Sequence, residues 1–190
     1  MHDLTEITKD TGVIRRSSRL EGARVGFGVC GGIGSVEVVK IMRELRRHGA
    51  EVTPFLTPSV ARFITPLSLA WAAGKDAVTE ASWEVDHLQG FDVVVTAPAT
   101  LNTLAKVASG IADNAVTLLL AAQIGNKKPV VLFSAMNLVL KNHPAYTKHK
   151  EVLETWGVHV VEPPVEEGRL KMPSPDFVFE WVEKLCRQQT

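Results

Sequence analysis

Apolar and polar positions begin to alternate regularly at Ala23. Arg24-Val25-Gly26-Phe27-Gly28-Val29 predicts a short buried strand, followed at once by Gly31, Gly32 and Gly34. From Ser35 to His48 the period changes: Val36, Val39, Met42 and Leu45 recur at helical spacing, and the run closes on Gly49. Ser35 is the expected N-cap, since its hydroxyl can accept a first-turn N–H. Glu51 to Leu56 reads as the next strand, although Pro54 brings no N–H to a ladder. The stretch from Pro58 to Ala73 is helical in pattern but broken at Pro66. Asp92-Val93-Val94-Val95-Thr96 is a β-branched, buried strand. A helical run then extends from about Thr103 to Gln123, with Gly110 and Asp113 marking a break. Further strands are expected at Pro129 to Phe133 and Val158 to Val161, and helices near 144–156 and 176–188.

Strands alternating with helices imply an α/β protein: a three-layer, Rossmann-like parallel sheet with helices on both faces. The chain divides into a polar N-terminal arm, residues 1–20, and a single domain over 21–190. The arm ends in Arg15, Arg16 and Arg19 and shows no period. It reads as loose, or else as ordered against a neighbouring subunit.

The 190 residues are 45% apolar and 22% charged, with 21 Lys+Arg against 21 Asp+Glu, so nothing favours nucleic acid as a partner. No apolar run approaches the roughly 20 residues that cross a bilayer, and the first residues lack a signal-peptide pattern. Cys30 and Cys186 lie far apart, which argues for reduced thiols and a cytoplasmic protein.

Ligands of open parallel sheets bind beyond the carboxyl ends of the strands. Four segments should reach that edge: Cys30–Ser35, Thr57–Ser59, Ala97–Thr103 and Ser134–Asn137. Their small and hydroxyl-bearing residues let the backbone approach a ligand, and helix N-termini favour a phosphate. Taken alone, Gly-Gly-Ile-Gly-Ser reads equally as a tight turn, because it lacks the full dinucleotide spacing and a Walker-type lysine.

The third segment is more specific. Ala97-Pro98-Ala99-Thr100-Leu101-Asn102-Thr103-Leu104-Ala105-Lys106, continued by Ser109-Gly110-Ile111-Ala112-Asp113-Asn114, resembles the Pro-Ala-Ser/Thr-x-Asn-Thr…Lys…Gly-Ile-x-Asp-Asn signature of the homo-oligomeric flavin-containing cysteine decarboxylases. Thr57-Pro58-Ser59-Val60-Ala61-Arg62-Phe63-Ile64 is similar to that family's second flavin loop. Ser134-Ala135-Met136-Asn137 resembles the start of its Pro-x-Met-Asn-x-x-Met-Trp motif. The resemblance implies FMN. It assigns Gly31, Gly32, Ile33, Ser35, Thr57 and Ser59 to the phosphate and ribityl side. Ala99, Thr100, Asn102 and Thr103 would hold phosphate and flavin edge, with Met136 beside the ring. It also implies a homotrimer or higher homo-oligomer.

Three departures qualify the borrowed activity. Ser134, Leu140 and Lys141 replace the motif's Pro and Met-Trp, while Asn137, expected to bind a substrate carboxylate, is kept. The segment from Glu162 to Pro173, matching the family's substrate clamp, contains no cysteine; its Arg169 and Lys171 are expected to meet a polar substrate. The family's basic histidine has His87 as its counterpart, though an ungapped alignment puts Glu84 there. His87 reads equally as a surface turn histidine. The other histidines show no metal-ligand spacing, and Glu162, Glu166 and Glu167 read as a solvated charge run. Trp71, Trp83, Trp156 and Trp181 read as core or subunit-contact residues.

These departures favour an FMN-dependent reductase, similar to a branch that reduces dihydromethanopterin. An unidentified electron donor would reduce the flavin, His87 would supply a proton, and Asn137 and Lys171 would orient the substrate. Two alternatives stand beside it: a phosphopantothenoylcysteine decarboxylase-like enzyme, and a flavin carrier without turnover.

Overall fold

The computed structural model describes residues 10–80 and 90–188. Five strands, β1 (Arg24–Val29), β2 (Glu51–Leu56), β3 (Val93–Ala99), β4 (Val130–Ser134) and β5 (His159–Val161), form one parallel sheet in the order β2-β1-β3-β4-β5. Period-two alternation sends successive side chains to opposite faces. Val93, Val95, Val131 and Phe133 enter one core cluster, while Val94, Val130 and Leu132 enter the other. Both faces are covered, so the strands read as unbroken apolar runs. The expected three-layer, Rossmann-like architecture is the observed one.

The first face carries α1 (Val38–Arg47), α2 (Pro66–Ala73) and α7 (Pro175–Arg187) through residues such as Ile41, Leu69 and Val182. The second carries α3 (Leu101–Ala108), α4 (Ala115–Gly125) and α6 (Pro144–Thr155) through Leu104, Leu119 and Leu153. Glycine in β1 permits this second layer to come close: a Cβ at Gly28 would lie 3.0 Å from Val116 Cγ1. Pro54 is accommodated because β2 is the sheet edge. Its carbonyl, on the outer side, accepts the Val78 N–H at 2.8 Å, so its missing N–H removes no bond to β1.

The helical run expected from Thr103 to Gln123 is two helices. Gly110 adopts φ +72°, and Asn114 opens α4 with a capping box shared with Thr117. Ser35 does not cap. The chain makes a 3-10 turn over Ile33–Glu37 before α1, and the Ser35 hydroxyl, fully buried, donates to the Gly32 carbonyl at 2.7 Å. A short helix, α5 (Leu138–Lys141), and a hairpin of β6 (Val165–Glu166) and β7 (Arg169–Leu170) complete the fold. Glu167 (φ 49°) and Gly168 (φ 72°) form the hairpin's turn.

The described part of the N-terminal arm is not loose. Arg16 N–H donates to the Arg47 carbonyl at 2.7 Å, and Arg16 pairs with buried Glu44. Arg19 pairs with Glu183 of α7 and lies over the Phe179 ring. Trp71 likewise serves packing, with Arg43 over its ring and Asp10 accepting its indole N–H. Trp83 lies outside the described residues. Among those residues no helix is long and apolar enough to cross a membrane.

Candidate functional site

Strand order reverses around β1, whose neighbours β2 and β3 are reached in opposite directions, so the loops leaving β1 and β3 part. Against this switch point lies a cleft of about 1000 Å³. Gly31, Gly32, Ile33, Thr100, Met136 and Asn137 line it, and the hairpin contributes Arg169 and Lys171 from the far side.

The other residues assigned to the cofactor sit beside or beneath this wall. Thr57 Oγ1 accepts the Gly31 N–H at 3.2 Å and lies 3.2 Å from Ser59 Oγ, which ties the first two loops together. Thr100 caps α3: its hydroxyl accepts the Thr103 N–H, and the two hydroxyls are 3.2 Å apart. Asn102 is exposed in the first turn of α3, whereas Ala99 and Thr103 are buried. A helix leaves its first N–H groups without intrahelical acceptors, so this end of α3 suits an anion. His87 and Glu84 lie outside the described residues.

Cys30 stands beneath the cradle, with its thiol 3.1 Å from the Thr103 hydroxyl. Burial pushes that thiol up to about 11, so it remains protonated at neutral pH and acts as packing rather than nucleophile.

Asn137 occupies the N-cap position of α5, yet its side chain makes no capping bond. It is exposed at the cleft. The backbone on either side of it is tied to the hairpin: Leu170 N–H donates to the Met136 carbonyl at 2.8 Å, and Leu138 N–H to the Gly168 carbonyl at 3.0 Å. The hairpin is therefore a flap attached to the Asn137 segment. Lys171 pairs with Glu167 at 2.6 Å, and Arg169 reaches the same carboxylate at 3.6 Å. Glu166 and Glu167 are exposed, as expected of a solvated run, but Glu162 is not part of one. It bridges Lys150 at 2.8 Å and Lys141 at 3.2 Å.

The cradle fits a phosphorylated flavin. A Cβ on Gly31 would lie 2.8 Å from the Ser59 carbonyl carbon, and one on Gly34 would lie 2.7 Å from Met172 Cγ, while Gly32 opens onto free space. Close backbone, hydroxyls and a helix N-terminus serve the anion. Met136, 8% exposed, and Ile33, 62% exposed, offer apolar surface to a flat ring.

A family model described as Flavoprotein matches residues 13–187. The chain belongs to the Flavoprotein family. Among its relatives is the coenzyme A biosynthesis bifunctional protein CoaBC of Thermococcus kodakarensis, 33% identical over 178 residues. That match covers 90% of this chain and 44% of the relative, so the chain spans about half the length of the curated relatives it matches. The solved FMN-dependent cysteine decarboxylase SpaF is 28% identical, with a TM-score of 0.76 over 89% of this chain and 98% of that one. A PPC decarboxylase mutant complexed with pantothenoylaminoethenethiol shares the fold at 24% identity and a TM-score of 0.76, covering 88% of this chain and 99% of that one.

This Flavoprotein membership and the FMN-dependent neighbour bear out FMN as the expected cofactor. The comparisons also favour an enzyme over a flavin carrier. They overturn the reductase: the similar proteins include a coenzyme A biosynthesis protein and an FMN-dependent cysteine decarboxylase. The expectation of a reductase rests on the missing clamp cysteine and on Leu140 and Lys141, and none of these departures removes Asn137 or the cofactor cradle.

Sequence reasoning missed part of the wall. Val36, Glu37 and Lys40 reach the cleft because the 3-10 turn rotates the start of α1, and Met172 reaches it from the flap. Met172 had one available signal, the glycine at position 34 that leaves room for it.

Proposed function

We propose that this Flavoprotein chain is an FMN-dependent decarboxylase acting on a cysteine-derived substrate with a free carboxylate and thiol, of the phosphopantothenoylcysteine kind. The observation that carries this reading is Asn137: its uncapped amide stands at the cleft beside the flavin cradle, and its backbone neighbours are tied to the flap. Thr57, Ser59, Thr100, Asn102 and the glycine turn would hold the phosphate and ribityl chain, with Ser35, Ala99 and Thr103 shaping the cradle from behind. Bound FMN supplies a two-electron acceptor for the thiol, and oxidation at sulfur makes loss of carbon dioxide easy. The Asn137 amide donates to the carboxylate and orients it. Arg169 and Lys171 meet the polar remainder of the substrate, while the flap limits water. His87 is proposed to take up the thiol proton at its imidazole.

The two electrons come from the substrate and would leave the reduced flavin for dioxygen as external oxidant, so turnover needs air and the separate donor required by a reductase has no part here. We further infer a homotrimer or higher homo-oligomer in the cytoplasm. Exposed Ile33 and Val139 near the cleft offer apolar surface to a second copy.

The test uses purified chain loaded with FMN. Phosphopantothenoylcysteine should release carbon dioxide and bleach the flavin absorbance under anaerobic conditions. Asn137→Asp should retain FMN but lower kcat/KM by about 100-fold, because a charge-assisted hydrogen bond is replaced by repulsion. A wild-type protein that binds FMN but releases no carbon dioxide from any cysteinyl thiol overturns the reading.

A further inference from the structure

Beneath the Asn137 segment runs a polar chain that the cofactor cradle does not use. Ser134, the last residue of β4, is fully buried, and its hydroxyl lies 3.0 Å from the Tyr146 hydroxyl of α6. Tyr146 in turn lies 3.2 Å from Glu162 Oε1. Glu162 follows β5 and leads into the flap. Lys150 holds the same oxygen at 2.8 Å, and Lys141, the last residue of α5, stands 3.2 Å from Oε2.

The proton directions follow from valence. Burial works against the Glu162 charge, but Lys150 and Lys141 hold its carboxyl below the ordinary range, so it only accepts. Burial pushes the Tyr146 phenol up to about 12, so it keeps its single proton. That proton goes to Glu162, and Ser134 must then donate to Tyr146. Every member has a partner, which makes such a buried chain rigid.

Its placement matters more than its strength. Ser134 comes three residues before Asn137 and Lys141 four after, and both ends of the segment converge on one carboxylate. The segment's middle is bonded to the flap through Met136 and Leu138, and Lys171 N–H closes the flap's base on the Pro164 carbonyl at 3.2 Å. The flap root and the Asn137 segment thus share one anchor.

We propose that Ser134, Tyr146, Glu162 and Lys141 are positioning residues that set Asn137 against the flap and thereby tune how tightly the site holds the substrate carboxylate. The substrate arm of the test rests on the decarboxylase reading; the exchange arm does not. Tyr146→Phe removes one hydroxyl and keeps the ring. In FMN-loaded protein, amide hydrogens of residues 136–141 and 166–171 should exchange about 10-fold faster, with β1 and β3 unchanged. KM for phosphopantothenoylcysteine should rise by roughly 10-fold with kcat held within about twofold. Lys141→Met, which cuts only the far end, should act in the same direction. Unchanged exchange in both Tyr146→Phe and Lys141→Met overturns the proposal. So does acceleration spread equally through β1 and β3, which marks a merely structural role. If wild type releases no carbon dioxide, the decarboxylase reading fails while the exchange result still decides the positioning role.

Discussion

The glycine turn after β1 works through two side chains far away in sequence. At Gly34 a methyl group would crowd the side chain of Met172, 2.7 Å from Cγ and 3.0 Å from Sδ, and an unbranched thioether chain can move aside. At Gly31 it would meet the backbone of Ser59 at 2.8 Å, which cannot yield without shifting the second loop. Gly34→Ala is therefore expected to weaken FMN binding by about threefold to tenfold, and Gly31→Ala by well over tenfold, since overpacking a tight site costs about 1–3 kcal/mol. Fluorescence titration of the apoprotein with FMN checks the ranking, and equal losses would contradict it. That these glycines serve close approach was legible in the chain's pattern. Ser35 was misread because a strand-to-helix junction looks the same in sequence whether it opens in 3-10 or α geometry. Here the 3-10 turn buries the hydroxyl and turns it toward the Gly32 carbonyl.

Among the elements, the α3–α4 break shows local signals acting as expected. Gly110 takes a left-handed φ that favours glycine, and Asn114 accepts the N–H groups of Val116 and Thr117. Asn114→Ala should cost about 1 kcal/mol and lower Tm by about 2–4 °C for a chain of this size. A circular dichroism melt measures this, and an unchanged Tm would show that the cap carries no net stability. Periodicity located the five sheet strands and the longer helices because each spans enough residues to repeat. The four residues of α5 and the two-residue strands of the hairpin are too short to carry a period. The flap's place between Glu162 and Pro173 was legible by resemblance, but its hairpin form and its bonds to Met136 and Leu138 were not.

For the molecule as a whole, carboxylates tie distant parts of the chain. Glu44, 3% exposed, receives Arg16 from the N-terminal arm at 2.5 Å and Arg47 at 2.9 Å. Burial opposes its charge, yet Arg47 and Arg16 hold its carboxyl below the ordinary range. A depressed folded value means that the unfolded chain binds its proton first. The stabilisation is thus complete above the ordinary glutamate value of about 4.3 and fades as pH falls through the lower folded value. Urea midpoints should drop below about pH 4.3, and Glu44→Gln should make that acid slope shallower. The same substitution should cost about 2 kcal/mol at pH 7, where charged hydrogen bonds are lost. An acid slope identical to wild type would remove Glu44 from the account.

The sequence by itself determined the succession of strands and helices, which loops reach the carboxyl edge, and the break before Asn114. All three arise from short-range causes: side-chain period, φ preference and capping within a few residues. Tertiary structure alone decided that the arm docks on α1 and α7, that the flap hangs from the Asn137 segment, and that Ser134 reaches Glu162 through Tyr146. Those contacts join residues with no local pattern in common, brought together only when both faces of the sheet are buried.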